Sequence, residues 1–155
     1  MHITTFTSPI VLRNYLLQSD TLREMLTFTN ADGEEETKIY PLNAPTDKNT
    51  EEPLFRGEFI TYGRTGYDVE TGGGNHINYK RTNMQVECFS PDYDTAFFKM
   101  LAEMEKIVYR MKNAGITVDI TDADEYEYAF REGGKTWYCE RINITMENVS
   151  VDIED

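Results

Sequence analysis

Hydrophobic side chains recur with two different periods along this chain, and the points where the period changes divide it into elements. Behind Ser8 and Pro9, a capping residue and a first-turn proline, Leu12, Tyr15 and Leu16 fall at helical spacing and predict an N-terminal helix. Ser19 offers a fresh cap, and Leu22, Met25 and Leu26 share one face, so the helix restarts or kinks there and ends by about Thr27. The longest helical pattern follows Ser90 and Pro91. There Phe97, Met100, Leu101, Met104, Ile107, Val108 and Met111 form one apolar stripe on a helix of about twenty residues. Asp92 and Asp94 sit at its positive end, Arg110 and Lys112 at its negative end, and Gly115 can take the left-handed conformation that closes it.

Period two governs most of the rest. The run "LFRGEFITY" from Leu54 to Tyr62 is aromatic and β-branched, and "NMQVECF" alternates Met84, Val86 and Cys88 against Asn83, Gln85 and Glu87. Further strands are predicted at "ITVDI", "EYEYAF" and "TWYCERINITM", the last two joined by a tight hairpin at "REGGK" in which Gly133 and Gly134 supply positive φ angles. Ile142, Ile144 and Met146 share one parity and Val149, Val151 and Ile153 the other, which predicts a bulge or break near Asn148 and a tail over 147–155 that leaves the sheet. "KIYPL" reads as a short edge strand, because Pro41 cannot donate to a ladder. "NADGEEE" (30–36) and "APTDKNTEEP" (44–53) read as polar turns. The sum is a single α+β domain over 1–155, with an antiparallel sheet of four or five strands, an N-terminal helix, and one long amphipathic helix packed on the sheet.

Between the strand runs lies a glycine-bearing stretch with Gly63, Gly66 and the triplet Gly72, Gly73 and Gly74, followed by Asn75 and His76. It is long for a hairpin turn and is expected to form a flexible projecting arm over about 63–77. A phosphate-binding loop is excluded, because the triplet leads through "NHINYK" into a strand, whereas such a loop ends in Lys-Ser or Lys-Thr and opens a helix.

Composition then narrows the function. With 28 acidic against 15 basic residues, a net charge of -13, the surface is unsuited to gripping nucleic-acid phosphates. It suits solubility, a wall past which DNA slides, or a decoy that imitates DNA. No run of about 18 apolar residues occurs that could span a bilayer, and the N-terminal residues show no secretory pattern, so a cytoplasmic site of synthesis is expected. Cys88 and Cys139 are then expected as free thiols, on strands where they could face each other. His2 and His76 have no second imidazole or thiolate at zinc-ligand spacing. "DITDADEYEY" has the outline of a calcium loop, but Glu127 stands where the turn glycine belongs and Tyr126 at a ligand position, so its acids read as solvated turn residues. None of the serines at 8, 19, 90 and 150 stands in a nucleophile-elbow context. No catalytic residue, cofactor or metal is expected.

The order of elements itself carries information. The leading helix with Leu17, Asp20 and Leu22, the "IYP" strand at Ile39, Tyr40 and Pro41, Pro53 ahead of an aromatic strand, and the strand Val86 through Ser90 ending just before the long helix resemble the tail-completion, or tail-terminator, proteins of long-tailed bacteriophages. The resemblance runs from about Val11 to Met146; the glycine arm and the acidic tail depart from it. It implies a structural virion protein assembled in the host cytoplasm. Its subunits would form a ring, commonly a hexamer, that caps the tail tube and docks on the head connector. The implied partners are further copies of the chain, the tail-tube protein and the connector protein, with no membrane, no specific nucleic-acid binding and no reaction. The arm residues Gly72, Gly73, Gly74, Asn75 and His76 are the expected contact with a neighbouring subunit or the tube. Glu34, Glu35 and Glu36, or the turn at Asp122 and Asp124, are the expected channel-lining acids. Another head-tail connector or neck protein is the neighbouring reading, and an acidic DNA-mimic inhibitor of a host nuclease is the reading of a different class.

Overall fold

The computed structural model describes residues 7–71 and 77–149. It is an α+β structure of three helices, a five-stranded sheet and a small two-stranded sheet. α1 (Ser8–Gln18) and α2 (Asp20–Leu26) are separate helices, because Ser19 is extended and its Oγ accepts from the Leu22 amide at 3.2 Å, capping the second helix afresh. Thr7 rather than Ser8 occupies the cap position of α1, and Ser8 is fully buried.

α3 (Thr95–Asn113) follows its local signals closely. The Asp94 carboxylate caps it by accepting from the Ala96 amide at 3.1 Å. At the other end Gly115, at φ +85, lets its own amide reach the Lys112 carbonyl at 3.0 Å, while the Ile116 amide reaches Met111 at 3.1 Å, the paired bonds of a left-handed C-terminal cap. Phe97, Met100, Met104, Ile107, Val108 and Met111 are buried; Leu101, on the flank of the stripe, is only partly so.

The large sheet has the order β3-β4-β5-β7-β6, from β3 (Ile39–Pro41), β4 (Phe59–Thr71), β5 (Ile77–Ser90), β6 (Thr117–Ala129) and β7 (Thr136–Val149). All pairs are antiparallel except the edge pair β3–β4, which is parallel because the chain crosses back over residues 42–58 instead of turning directly. The register places Val118, Met146 and Thr82 in one row, Ile120, Ile144 and Met84 in the next, and Ile142 and Val86 in a third. These alternate residues form the core against which the three helices lie. A second cluster on the opposite face gathers Phe55, Phe59, Phe89, Trp137 and Cys139, with Phe59 and Phe89 stacked at 4.5 Å.

Several expected boundaries move. The strand expected from Leu54 begins only at Phe59. Residues 54–58 are a loop, held by the buried Lys38, whose Nζ donates to the Arg56 carbonyl at 2.7 Å. The "NADGEEE" turn closes sooner than expected: Asn30 accepts from the Asp32 and Glu34 amides, and β2 (Glu35–Thr37) pairs with β1 (Thr27–Thr29) to form the small sheet. The turn expected at Asp122 and Asp124 is instead strand, for β6 runs unbroken through both with a bulge between Ile120 and Asp122. That one extra residue shifts the parity of β6 alone; β7 pairs with β5 without a slip as far as Val149, and the tail expected to leave the sheet lies outside the described residues from 150 onward. At "REGGK" the connection spans 130–135, and of the two glycines only Gly133 has a positive φ. The strands β4 and β5 continue through most of the glycine stretch, pairing from Gly63 with Gln85 to Thr71 with Ile77.

Candidate functional site

On the sheet face turned away from the helices, the rows between the aromatic cluster and the arm are polar. Asn83, Gln85 and Glu87 on β5 stand opposite Thr145, Asn143 and Arg141 on β7, which in turn face Asp119, Asp122 and Asp124 on β6. Hydrogen bonds close these rows on themselves. Thr145 Oγ1 donates to Asn83 Oδ1 at 3.2 Å, and Asn143 donates to the Asp122 carboxylate. Gln85, with its amide turned to suit both neighbours, accepts from Arg141 Nε at 2.8 Å and donates to Glu87 at 3.3 Å. Glu87 is the hub: its Oε2 accepts from the Tyr126 hydroxyl and from Cys139 Sγ at 3.7 Å, and lies 3.8 Å from Arg141, whose guanidinium stacks 4.9 Å from the centre of the Tyr126 ring.

The protonation behaviour of this hub is that of a structural network. Burial, then hydrogen bonds to Cys139 and Glu87, raise the Tyr126 hydroxyl. Burial also pushes the Cys139 thiol up to about 12, with the Glu87 carboxylate adding to the rise against the opposing pull of Tyr126 and Arg141. Burial drives Cys88 upward as well. An activated thiol needs the opposite shift. The two cysteines lie on opposite faces, Cys88 opposite Glu140 and Cys139 opposite Phe89 in the β5–β7 register, so the expected chance of their facing each other is removed.

Two buried charges were not foreseen. Glu103 points into the junction of α3 with the α1–α2 break, where it accepts from Ser19 Oγ at 2.8 Å and from Arg110 at 2.7 Å. Burial favours its neutral form, but the bonds from Arg110 and Ser19 and the charges of Arg110 and Lys106 outweigh it, so its carboxyl is lowered. The signal was present: Glu103 stands three residues after Met100 and four before Ile107, inside the apolar stripe. Lys38 is the other. Its ammonium lies 5.6 Å from the Phe55 ring centre and 5.9 Å from that of Phe28, and burial lowers its pKa, partly countered by Glu58.

The expected acidic positions do not come together. Glu34 is exposed in the small-sheet turn and Glu35 is exposed on β2, while Glu36 is half-buried and accepts from Asn30 at 3.3 Å and from the Tyr40 hydroxyl. Tyr40 belongs to β3, one edge of the large sheet, whereas Asp122 and Asp124 are exposed on β6, the other edge. Gly72, Gly73, Gly74, Asn75 and His76 lie outside the described residues, as does His2. Among the described residues no group of three or more His, Cys, Asp or Glu side chains is placed to hold a metal ion, and no helix is long and apolar enough to cross a membrane.

These features define an α+β protein whose sheet is packed by helices on one side and carries, on the other, a buried aromatic cluster at one end and open polar rows beside it. Comparison with protein-family models gives no match, and no curated protein matches the chain.

Proposed function

We propose that the chain is a structural virion subunit of a phage or prophage, a tail-terminator-like protein that associates into a ring between tail tube and head connector. The order of motifs from Val11 to Met146 motivates this reading, and the β4–β5 hairpin carries it. Past the last core row, at Thr82 and Met146, the β4–β5 ladder continues from Asp68 opposite Arg81 to Thr71 opposite Ile77, backed on one side by β7 as far as Val149. At about 3.3 Å per residue that is a blade roughly 17 Å long beyond the helix-packed core. A ladder maintained past the core that stabilises it suits a subunit that reaches a neighbour.

The test is native mass spectrometry with negative-stain microscopy of the purified chain across a concentration series. Closed rings of one subunit number are expected. A chain that stays monomeric at every concentration, and remains so when mixed with tail-tube protein, contradicts the reading.

One observation favours a second reading. β6 carries Asp119, Asp122, Asp124, Glu125 and Glu127 and no basic residue along an exposed edge strand, an arrangement suited to imitating a phosphate backbone. A tight, stoichiometric complex of the monomer with a host DNA-binding enzyme would select the DNA-mimic reading over the ring.

A further inference from the structure

At the end of the sheet beyond the N-terminus of α3, the helix-side face is left uncovered, and tyrosines rather than aliphatic side chains furnish it. The loop ahead of α3 sets Tyr93 over this face, with its ring 5.2 Å from Tyr138 and 5.0 Å from Phe98. Tyr93 is 50% exposed and Phe98 45% exposed, so the aromatic ridge stands in solvent instead of closing over the core. Beneath it lies an open cleft of about 270 Å³, lined by Tyr93, Glu125, Tyr126, Glu127 and Tyr138.

The strand register makes the floor of this cleft unusual. Glu125 stands directly opposite Glu140, and Glu127 directly opposite Tyr138. Like charges directly opposite each other across a ladder are destabilising. Glu125 accepts from the Tyr93 hydroxyl at 3.0 Å. The six ion pairs found among the described residues join other groups, and none supplies a cation to Glu125, Glu127 or Glu140. Burial, followed by the charges of Glu125 and Asp124, raises the half-buried Glu140 carboxyl, as it would where a cation is missing. A flat, weakly hydrated cation between tyrosine faces and carboxylates would relieve the repulsion and cover the ridge together.

We infer that this uncovered end of the sheet is a docking surface for an arginine-bearing segment of another protein, with a guanidinium seated against Tyr93 and Tyr138 and paired to Glu125 and Glu127. A second copy of the chain is the poorer occupant, because each copy carries a net charge of -13 and would bring its own surplus acids to the contact. Docking at this end of the sheet does not depend on ring formation.

The experiment is a ¹⁵N-resolved NMR titration of the full chain with a capped tetra-arginine peptide, repeated with tetra-lysine. Shifts concentrated at Tyr93, Glu125, Glu127 and Tyr138 are expected, with tetra-lysine binding more weakly. The double variant Glu125→Gln with Glu127→Gln should weaken binding about tenfold, as two exposed charge-assisted pairs are lost. Tyr93→Leu should weaken it about threefold, through the lost cation–ring contact. The loop variant Glu51→Gln with Glu52→Gln, which removes the same charge elsewhere, should leave affinity within about twofold. Shifts spread over all acidic surfaces, equal losses in the cleft and loop variants, or absence of binding would overturn the inference. So would concentration-dependent shifts at the cleft without peptide, which would make a second copy the occupant.

Discussion

Along β5 and β7 neighbouring residues face opposite ways, and the two sides they build are unlike. Toward the helices, Thr82, Met84 and Val86 lie beside Met146, Ile144 and Ile142, all buried. Away from the helices, Asn83, Gln85 and Glu87 lie beside Thr145, Asn143 and Arg141, joined by hydrogen bonds but not covered. The first side draws its strength from area removed from water, roughly 25 cal/mol per Å². On the second, each bond replaces one to water and nets about 1 kcal/mol. Stability should therefore reside on the covered side, while the open side holds its shape at little cost and stays available for contact.

The largest break in this comparison is a charge on the covered side. Met104→Asp should abolish the cooperative unfolding transition, since Met104 is fully buried on the α3 stripe. Met104→Ala should cost about 2–5 kcal/mol in chemical denaturation. Leu101→Asp, on the partly exposed flank, should cost less than Met104→Asp. The reverse order would mean that α3 is rotated from the packing described.

Next comes Glu103, an acid buried on the covered side. Glu103→Ala removes the acceptor of Ser19 and Arg110 and should cost about 1–3 kcal/mol at neutral pH. The carboxyl is lowered from its ordinary value of 4.5, so its contribution is fully present above that value and is lost as pH falls through the lower folded-state pKa. Denaturation midpoints of the parent should fall on acidification in that range, with a shallower fall in Glu103→Gln. Identical acid limbs would place the titration elsewhere.

The open side should respond weakly. Tyr126→Phe removes a hydroxyl bonded to Glu87 and should cost about 1 kcal/mol. Asp124→Asn, exposed on β6, should stay within about 0.5 kcal/mol of the parent. A loss in either variant as large as that of Met104→Ala would erase the distinction between the sides.

What the sequence disclosed follows the same division. α3 was legible because its cap at Asp94, its stripe and its closing Gly115 are all encoded within neighbouring turns. The covered side of β5 and β7 was legible because Met84, Val86, Ile142 and Ile144 alternate without interruption. The bulge after Ile120 was not, since Thr121 has no marker and the acids on either side imitate a turn. Lys38 was hidden because its partner, the Arg56 carbonyl, belongs to a loop whose fold depends on distant aromatic rings. The parallel β3–β4 pair was hidden because nothing local fixes the direction in which a crossing loop returns. The Glu87 hub joins three strands, and no periodicity within one of them announces it.

In the proposed division of labour the covered side holds the fold and the blade beyond it makes the assembly contact. That division is tested most directly by replacing residues 69–80 with a two-residue Asn-Gly turn, which keeps the Asp68–Arg81 pair and the Arg81–Glu147 bridge, and by measuring native mass and thermal midpoint on the same sample. The expected result is a thermal midpoint close to the parent's together with loss of the proposed ring. A shortened chain that still assembles into the parent's ring would contradict it.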